Sequence, residues 1–279
     1  MWAKASTRVL RQAQDDTAHK NYTMEDQKFT NQVAIITGAG QGIGFEIARQ
    51  LALAGAAVLL NDIDEQLANR AASVINMLGG KCHPMAGDAA DVNFIQQMVD
   101  TAVSKFGFVT IAIANAGITS YGEFLDYQPG DLQSVVNLNL FGSFFLAQKA
   151  AIQMKKQGHG GGSILLMSSV TGHQAHKNLA AYGMTKAGLE MLAKSLVLEL
   201  APLNIAVNTI APGATLTERT LQDEGYEQTW SRITPMGRPA TVEDIANAAL
   251  FFVSPFSRHI TGQSLVVDGG WTATSPSPY

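Results

Sequence analysis

The chain has 279 residues, of which 46% are hydrophobic and only 15% charged, against about 25% charged in an average soluble domain. That composition excludes disorder over the bulk of the chain, and a net charge of −4 without any basic cluster excludes a nucleic acid or an anionic membrane surface as partner. A single cysteine, Cys82, excludes an internal disulfide or a cysteine-rich zinc site and fits a reducing compartment, with the cytoplasm expected.

Residues 1–28 are polar, with Lys4, Arg8 and Arg11 ahead of the first acid, Asp15, and lack the apolar stretch of a secretory signal. They are expected to form a flexible extension; a weakly transit-like segment and an internal start at Met24 are the alternatives. The pattern then changes to short apolar runs alternating with helical stretches. Strands are predicted at 33–37, 57–61, 81–86, 109–114, 162–168, 204–210 and 264–267, and helices near 42–54, 64–78, 91–106, 131–157, 180–201 and 241–253. Runs such as Val33-Ala-Ile-Ile36 are apolar without alternation, the mark of strands covered by helices on both faces. Strict β-α alternation with right-handed crossovers predicts an α/β fold, a doubly wound parallel seven-stranded sheet of the Rossmann type. No linker divides 29–271, so one catalytic domain is expected there, followed by a C-terminal tail at 272–279 whose Ser275–Tyr279 is expected to be irregular. No apolar run reaches the ~18–20 residues that span a bilayer, so no membrane partner is expected.

The first strand runs into Thr37-Gly-Ala-Gly-Gln-Gly-Ile-Gly44 and then a helix. Glycines at such a junction let the backbone turn sharply and approach a pyrophosphate, and the helix N-terminus offers free N–H groups to it. Gly38, Gln41, Gly42, Ile43 and Gly44 are therefore candidate cofactor contacts; a tight turn without a ligand is the alternative. Asp62 lies 18 residues after Gly44, near the ~20 expected of the acid that binds an adenosine ribose. It would repel the 2′-phosphate of NADP, and neither Gln41 nor Ile63 supplies a cation, so the predicted cofactor is NAD. Asp62 could instead cap the next helix, but Asp64 is better placed for that.

Tyr182 and Lys186 are one helical turn apart and share a face. An ammonium beside a phenol favours the phenolate, which makes the phenol a usable proton donor and acceptor. With the glycine loop, these residues resemble the short-chain dehydrogenase/reductase family over residues 29–271. Thr37–Gly44 resembles its TGxxxGxG loop, and Ala114-Asn115-Ala116-Gly117 its NNAG motif with Ala114 in place of the first Asn. Ser169 lies 13 residues before Tyr182, the family spacing, and Asn139, Pro212-Gly213 with Thr217, and Ile260–Gly270 match further motifs.

The resemblance implies roles. Tyr182 would be the general acid/base; Lys186 would hold the nicotinamide ribose; Ser169 would bond the reacting oxygen; Asn139 would hold a water relaying protons from Lys186. Asp88 and Ala89 would contact adenine, with Ala89 in place of the usual Val or Leu. Asn115, Pro212, Gly213, Thr215 and Thr217 complete the implied cofactor contacts, Thr215 replacing an aliphatic residue. Ser168 is expected to project to the opposite face from Ser169.

The substrate pocket is predicted from the Ile118–Phe124 loop, from the loop after Ser169 with His173, Gln174 and His176, and from 214–236, read as a mobile lid with Thr220, Gln222, Tyr226, Trp230 and Met236. This polar and aromatic mix fits a sugar or polyol, so an NAD-dependent alcohol dehydrogenase similar to glucose 1-dehydrogenases is expected. A 3-oxoacyl-carrier-protein reductase or a catalytically silent NAD-binding protein are the alternatives. No metal site is expected, since His83, Asp88 and Asp91 lack ligand spacing. The family is commonly tetrameric, and Phe141, Phe144, Phe145 and Leu146 are too many apolar residues for one narrow stripe, so a homotetramer is expected.

Overall fold

The computed structural model describes residues 28–158 and 160–274; the expected extension up to residue 27 and residues 275–279 of the tail lie outside them. Seven strands form one sheet: β1 (Val33–Ile36), β2 (Ala57–Asp62), β3 (Lys81–Ala86), β4 (Ile111–Ala114), β5 (Gly162–Met167), β6 (Ile205–Pro212) and β7 (Ser264–Val267). All pairings are parallel, in the order β3-β2-β1-β4-β5-β6-β7.

Alternate strand residues feed two separate cores, which is why the strands read as unbroken apolar runs. Ala34 and Ile36 of β1 pack with α1 (Gly42–Leu53), α2 (Glu65–Met77) and α8 (Val242–Val253) through Ile47, Leu51, Ile75, Ile245 and Phe252. Val33 and Ile35 face the other layer, α3 (Val92–Phe106), α5 (Ser143–Gln157) and α6 (Ala180–Leu200), through Ile95, Met98, Leu146, Met154 and Leu189. The chain leaves β1 toward β2 on one side, while β4 lies on the other. This divergence opens a crevice at the carboxyl ends of the two strands, where ligands of doubly wound sheets bind.

Two expectations are corrected. The helix expected over 131–157 starts earlier, with Pro129 in the first turn of α4 (Pro129–Val136), and a wide π turn, Asn137–Gly142, separates α4 from α5. The stretch 214–236 contains an unpredicted helix, α7 (Tyr226–Ile233). At the start of the tail a 3₁₀ turn spans Trp271–Ala273, and Trp271 packs edge-on against Trp230. Strand ends shift by one or two residues; β6 runs on to Pro212, and β4 starts at Ile111 because Val109 pairs with the Gln157 side chain instead. The helical stretch Pro129–Gln157 is long and apolar enough to cross a membrane by length and composition, but nearly half of its apolar 18-residue window is buried inside the domain.

Candidate active site

The glycine-rich turn is held from behind. The Asn115 amide, just past β4, donates to the carbonyls of Thr37 (2.9 Å) and Gly38 (2.8 Å). The Thr37 hydroxyl accepts from the backbone amides of Asn115 (3.2 Å) and Ala116 (3.1 Å). Gly38 has φ 61°, and a Cβ there would lie 2.8 Å from Ala116 Cα, so only glycine allows this approach. Gln41 precedes α1 without capping it. The amides of Gly42, Ile43 and Gly44 therefore lack intrahelical partners and point out of the helix end, as a pyrophosphate requires, while the amide of Phe45 already reaches Gln41 O.

At the adjacent end of β2, the two aspartates divide the work. Asp64 caps α2, accepting from Gln66 N (2.8 Å) and Leu67 N (3.1 Å). Asp62 accepts instead from the glycine-loop amide of Gly40 at 2.9 Å and from Asp64 N at 3.1 Å. Each oxygen keeps a lone pair for a sugar hydroxyl. Asp88 is exposed past β3, bonded to Ala90 N, and buried Ala89 places its carbonyl against Gly142. A turn without a side-chain cap and a carboxylate beside it fit the pyrophosphate and ribose of a dinucleotide.

Tyr182 and Lys186 enter from α6. Lys186 is fully buried, donates from Nζ to Met167 O at 2.7 Å, and places Nζ 5.4 Å from the Tyr182 ring centroid. Burial pushes its ammonium below the ordinary lysine range, partly offset by Tyr182. One of its three N–H donors is spent on Met167, leaving two. Asn139, completely buried in the π turn, clasps the loop after β4: its Oδ1 accepts from Ile118 N (2.9 Å) and its Nδ2 donates to Ile118 O (3.0 Å) and lies 3.2 Å from the Thr185 hydroxyl. Gly117 sits between them; a Cβ there would lie 3.1 Å from Asn139 Oδ1 and 3.3 Å from Lys186 Nζ. Ser169, at the end of β5, accepts from Thr171 N at 3.3 Å.

These residues open onto a cleft of about 190 Å³. Ser169, Tyr182 and Lys186 line it, and so do Ile43 from the first turn of α1 and Asn115 and Gly117 from the loop after β4. Pro212, Gly213, Thr215 and Thr217 line it too, together with Thr119, Arg219, Thr220 and Tyr226, and a Cβ on Gly42 of the glycine loop would lie 3.7 Å from Thr217. The stretch from Thr215 to Tyr226 is tied internally: the Thr220 hydroxyl donates to Thr215 O (2.9 Å) and accepts from Thr217 N (2.8 Å), and Tyr226 Oη accepts from Thr215 N (3.2 Å).

A family model described as "Enoyl-(Acyl carrier protein) reductase" matches residues 38–272. The 7alpha-hydroxysteroid dehydrogenase of Escherichia coli (strain K12) is 37% identical over 251 residues, 89% of this chain and 97% of that one. The chain belongs to the short-chain dehydrogenase/reductase family. An L-rhamnose 1-dehydrogenase (NAD(P)(+)) of Azotobacter vinelandii (strain DJ / ATCC BAA-1303) is 36% identical over 248 residues, 86% of this chain and 96% of that one. A solved structure of 7 alpha-hydroxysteroid dehydrogenase complexed with NADH and 7-oxo glycochenodeoxycholic acid superposes with TM-score 0.83 at 37% identity, covering 89% of this chain and 97% of that one. This short-chain dehydrogenase/reductase is thus an oxidoreductase acting on CH–OH groups.

Within this short-chain dehydrogenase/reductase the pocket differs from the sequence expectation. Thr119, Thr220 and Tyr226 line the cleft, but His173, Gln174, His176, Gln222, Trp230 and Met236 do not. His173 Nε2 instead lies 2.9 Å from Glu190 Oε1. His176 stacks on Trp271 with ring centroids 5.1 Å apart, and burial pushes it below the ordinary histidine range. The rings continue from Trp271 to Trp230 and Tyr226, so α7 leans on the C-terminal turn. Ser168 turns its hydroxyl away to Lys186 O (3.0 Å) and Glu190 Oε1 (2.7 Å). Glu190 was legible in principle: it lies one and two turns beyond Lys186 and Tyr182 on the same face of α6. No group of His, Cys, Asp and Glu fit to hold a metal occurs among the described residues.

Proposed function

We propose that this enzyme is an NAD-dependent dehydrogenase of secondary alcohols, and that its substrate is a sugar or polyol. The observation that carries the reading is that Tyr182, Lys186 and Ser169 line one cleft together with Ile43 of the glycine-rich turn. NAD, when bound, supplies the hydride acceptor. As phenolate, Tyr182 takes the hydroxyl proton from the substrate; as phenol, it returns it in the reducing direction. The Ser169 hydroxyl orients the reacting oxygen. Lys186 holds a ribose hydroxyl with its two remaining donors and supports the phenolate by its charge. Asn139 anchors the Gly117–Ile118 loop over Lys186, where it can hold a water at the ammonium.

NAD over NADP rests on Asp62: a carboxylate at the end of β2 with Gln41 and Ile63 as neighbours opposes a 2′-phosphate. A sugar or polyol is favoured by the hydroxyl-rich walls at Thr119, Thr215, Thr217, Thr220 and Tyr226. A second reading, a hydroxysteroid, draws on the two hydroxysteroid dehydrogenase relatives and on exposed Ile118, Tyr121 and Leu221 next to cleft residues. The test is NADH formation with a panel of sugars, polyols and hydroxysteroids, run in parallel with NAD and NADP. Turnover with a sugar and NAD supports the reading. Turnover with steroids alone replaces the substrate, faster rates with NADP overturn the cofactor, and tight NAD binding without turnover supports a silent binding protein.

The same reading includes a homotetramer and a cytoplasmic location. Phe141, Phe144, Met184, Met191 and Leu198 are exposed on the α5–α6 side, more apolar surface than two solvated helices need. Sedimentation at micromolar concentration tests the tetramer. Cys82 is buried, and burial pushes its thiol up to about 12, consistent with an inert thiol kept reduced.

A further inference from the structure

Ser169 and Tyr182 belong to different elements, so nothing in their own backbone fixes the distance between a hydroxyl on the end of β5 and a phenol on α6. Cross-element contacts must set it. Lys186 Nζ reaches back to Met167 O at 2.7 Å. The Ser168 hydroxyl lies 3.0 Å from Lys186 O and 2.7 Å from Glu190 Oε1. His173, beyond the short turn that follows Ser169, places Nε2 2.9 Å from that same oxygen. This nitrogen carries the hydrogen, because a carboxylate only accepts. The turn between them is pressed onto the helix: a Cβ on Gly172 would lie 3.0 Å from Ala187 N and 3.1 Å from Glu190 Oε1.

We propose that Glu190 is a positioning residue: by gathering Ser168 and His173 onto one carboxylate oxygen, it locks the strand end that carries Ser169 in register with the helix that carries Tyr182 and Lys186. Its side chain is only 11% exposed. A buried carboxylate costs desolvation that an apolar side chain would avoid, so stability alone does not account for it. What a carboxylate offers, and a leucine does not, is two directional bonds from opposite ends of the Ser169 turn. The inference rests on Ser169 and Tyr182 being the reacting pair, and the test separates the two.

The experiment is a double-mutant cycle on the full chain, with direct measurement of NADH binding, thermal melting, and amide hydrogen exchange of residues 168–176 in the NADH complex. Glu190→Ala is expected to speed exchange across 168–176, leave the NADH dissociation constant within about twofold, and lower kcat by about tenfold or more, since a 1 Å misplacement can cost on the order of 10²-fold. Glu190→Gln keeps the shape and an acceptor for Ser168, so it should recover most of kcat. In a Ser169→Ala background, Glu190→Ala should change kcat by less than about twofold, because residues acting through one another are not additive. If Glu190→Ala fails to fold, Ser168→Ala removes the same link. Unchanged exchange, or an equal loss of kcat in both backgrounds, overturns the proposal. Wild-type turnover by Ser169→Ala overturns the assignment of the active site instead, and the exchange data then decide the clamp alone.

Discussion

Asn139 and Ile118 exchange two hydrogen bonds, from Ile118 N to the side-chain oxygen at 2.9 Å and from the side-chain nitrogen to Ile118 O at 3.0 Å. One amide thus satisfies both backbone groups of a residue in the loop that roofs Lys186. Replacing Asn139 by Ala leaves both groups without their partner, at a cost of about 1–2 kcal/mol. The expected outcome is a melting temperature lower by several degrees and a lower kcat, with Asn139→Ala still folded. Calorimetry and initial rates check this; an unchanged kcat would separate the loop from the chemistry.

Tyr182→Phe removes only the phenolic oxygen. Without its proton donor and acceptor, kcat is expected to fall by about 10²–10⁴-fold. The dissociation constant for NADH, followed by its fluorescence, should hardly move, because the ring still packs beside Lys186.

Asp62→Ala relieves the repulsion of a 2′-phosphate but also strips Gly40 N of its partner. Two effects are therefore expected together: weaker binding of NAD, and a preference for NAD over NADP reduced by about tenfold, the equivalent of about 1.4 kcal/mol. Ratios of kcat/KM for the two cofactors measure it. A ratio equal to that of the unmodified enzyme would remove Asp62 from cofactor choice.

Asp268 provides a pH test away from the chemistry. Burial raises its carboxyl, but the hydroxyl and amide of Thr272 and the amides of Gly270 and Trp271 outweigh that, holding it below the usual carboxylate range. Its folded pKa is thus below the unfolded value of ~3.9. The stabilisation is fully present above about pH 4 and is lost as pH falls through the folded value. Melting curves of the native protein should fall more steeply in that window than those of Asp268→Asn; parallel curves would show that the bonds do not favour the charged form.

The elements that the sequence announces are those set by local pattern. β1, β2, β4, β5 and β6 are visible because each is buried on both faces, the partly buried edge strands β3 and β7 by their place in the alternation, and the glycine turn and the Tyr182–Lys186 pair because their spacing is short. The wide turn at Asn137–Gly142 left no trace, since one extra residue per turn changes neither composition nor apolar content. Pro129 was a readable start for α4, as proline suits a first helical turn. Helix α7 was hidden by its eight residues, two of them charged, and by Gly225 in front of it without a side-chain cap. The histidines misled because loop position does not fix direction: His173 turns to Glu190 and His176 to Trp271, contacts made across 17 and 95 residues of chain by their numbers.

The wide turn in the long helix has an evolutionary and an engineering meaning. Deleting one residue, Leu138 for example, would remove the extra residue and restore even winding with the helices on either side in their present orientation, but would carry Asn139 itself about 100° around the axis from its present place. Asn139 could then no longer reach Ile118 while the aromatic ridge beyond it kept its seat. Shortening this segment to gain heat resistance should therefore trade away turnover, and the irregular winding marks where this scaffold resists being idealised.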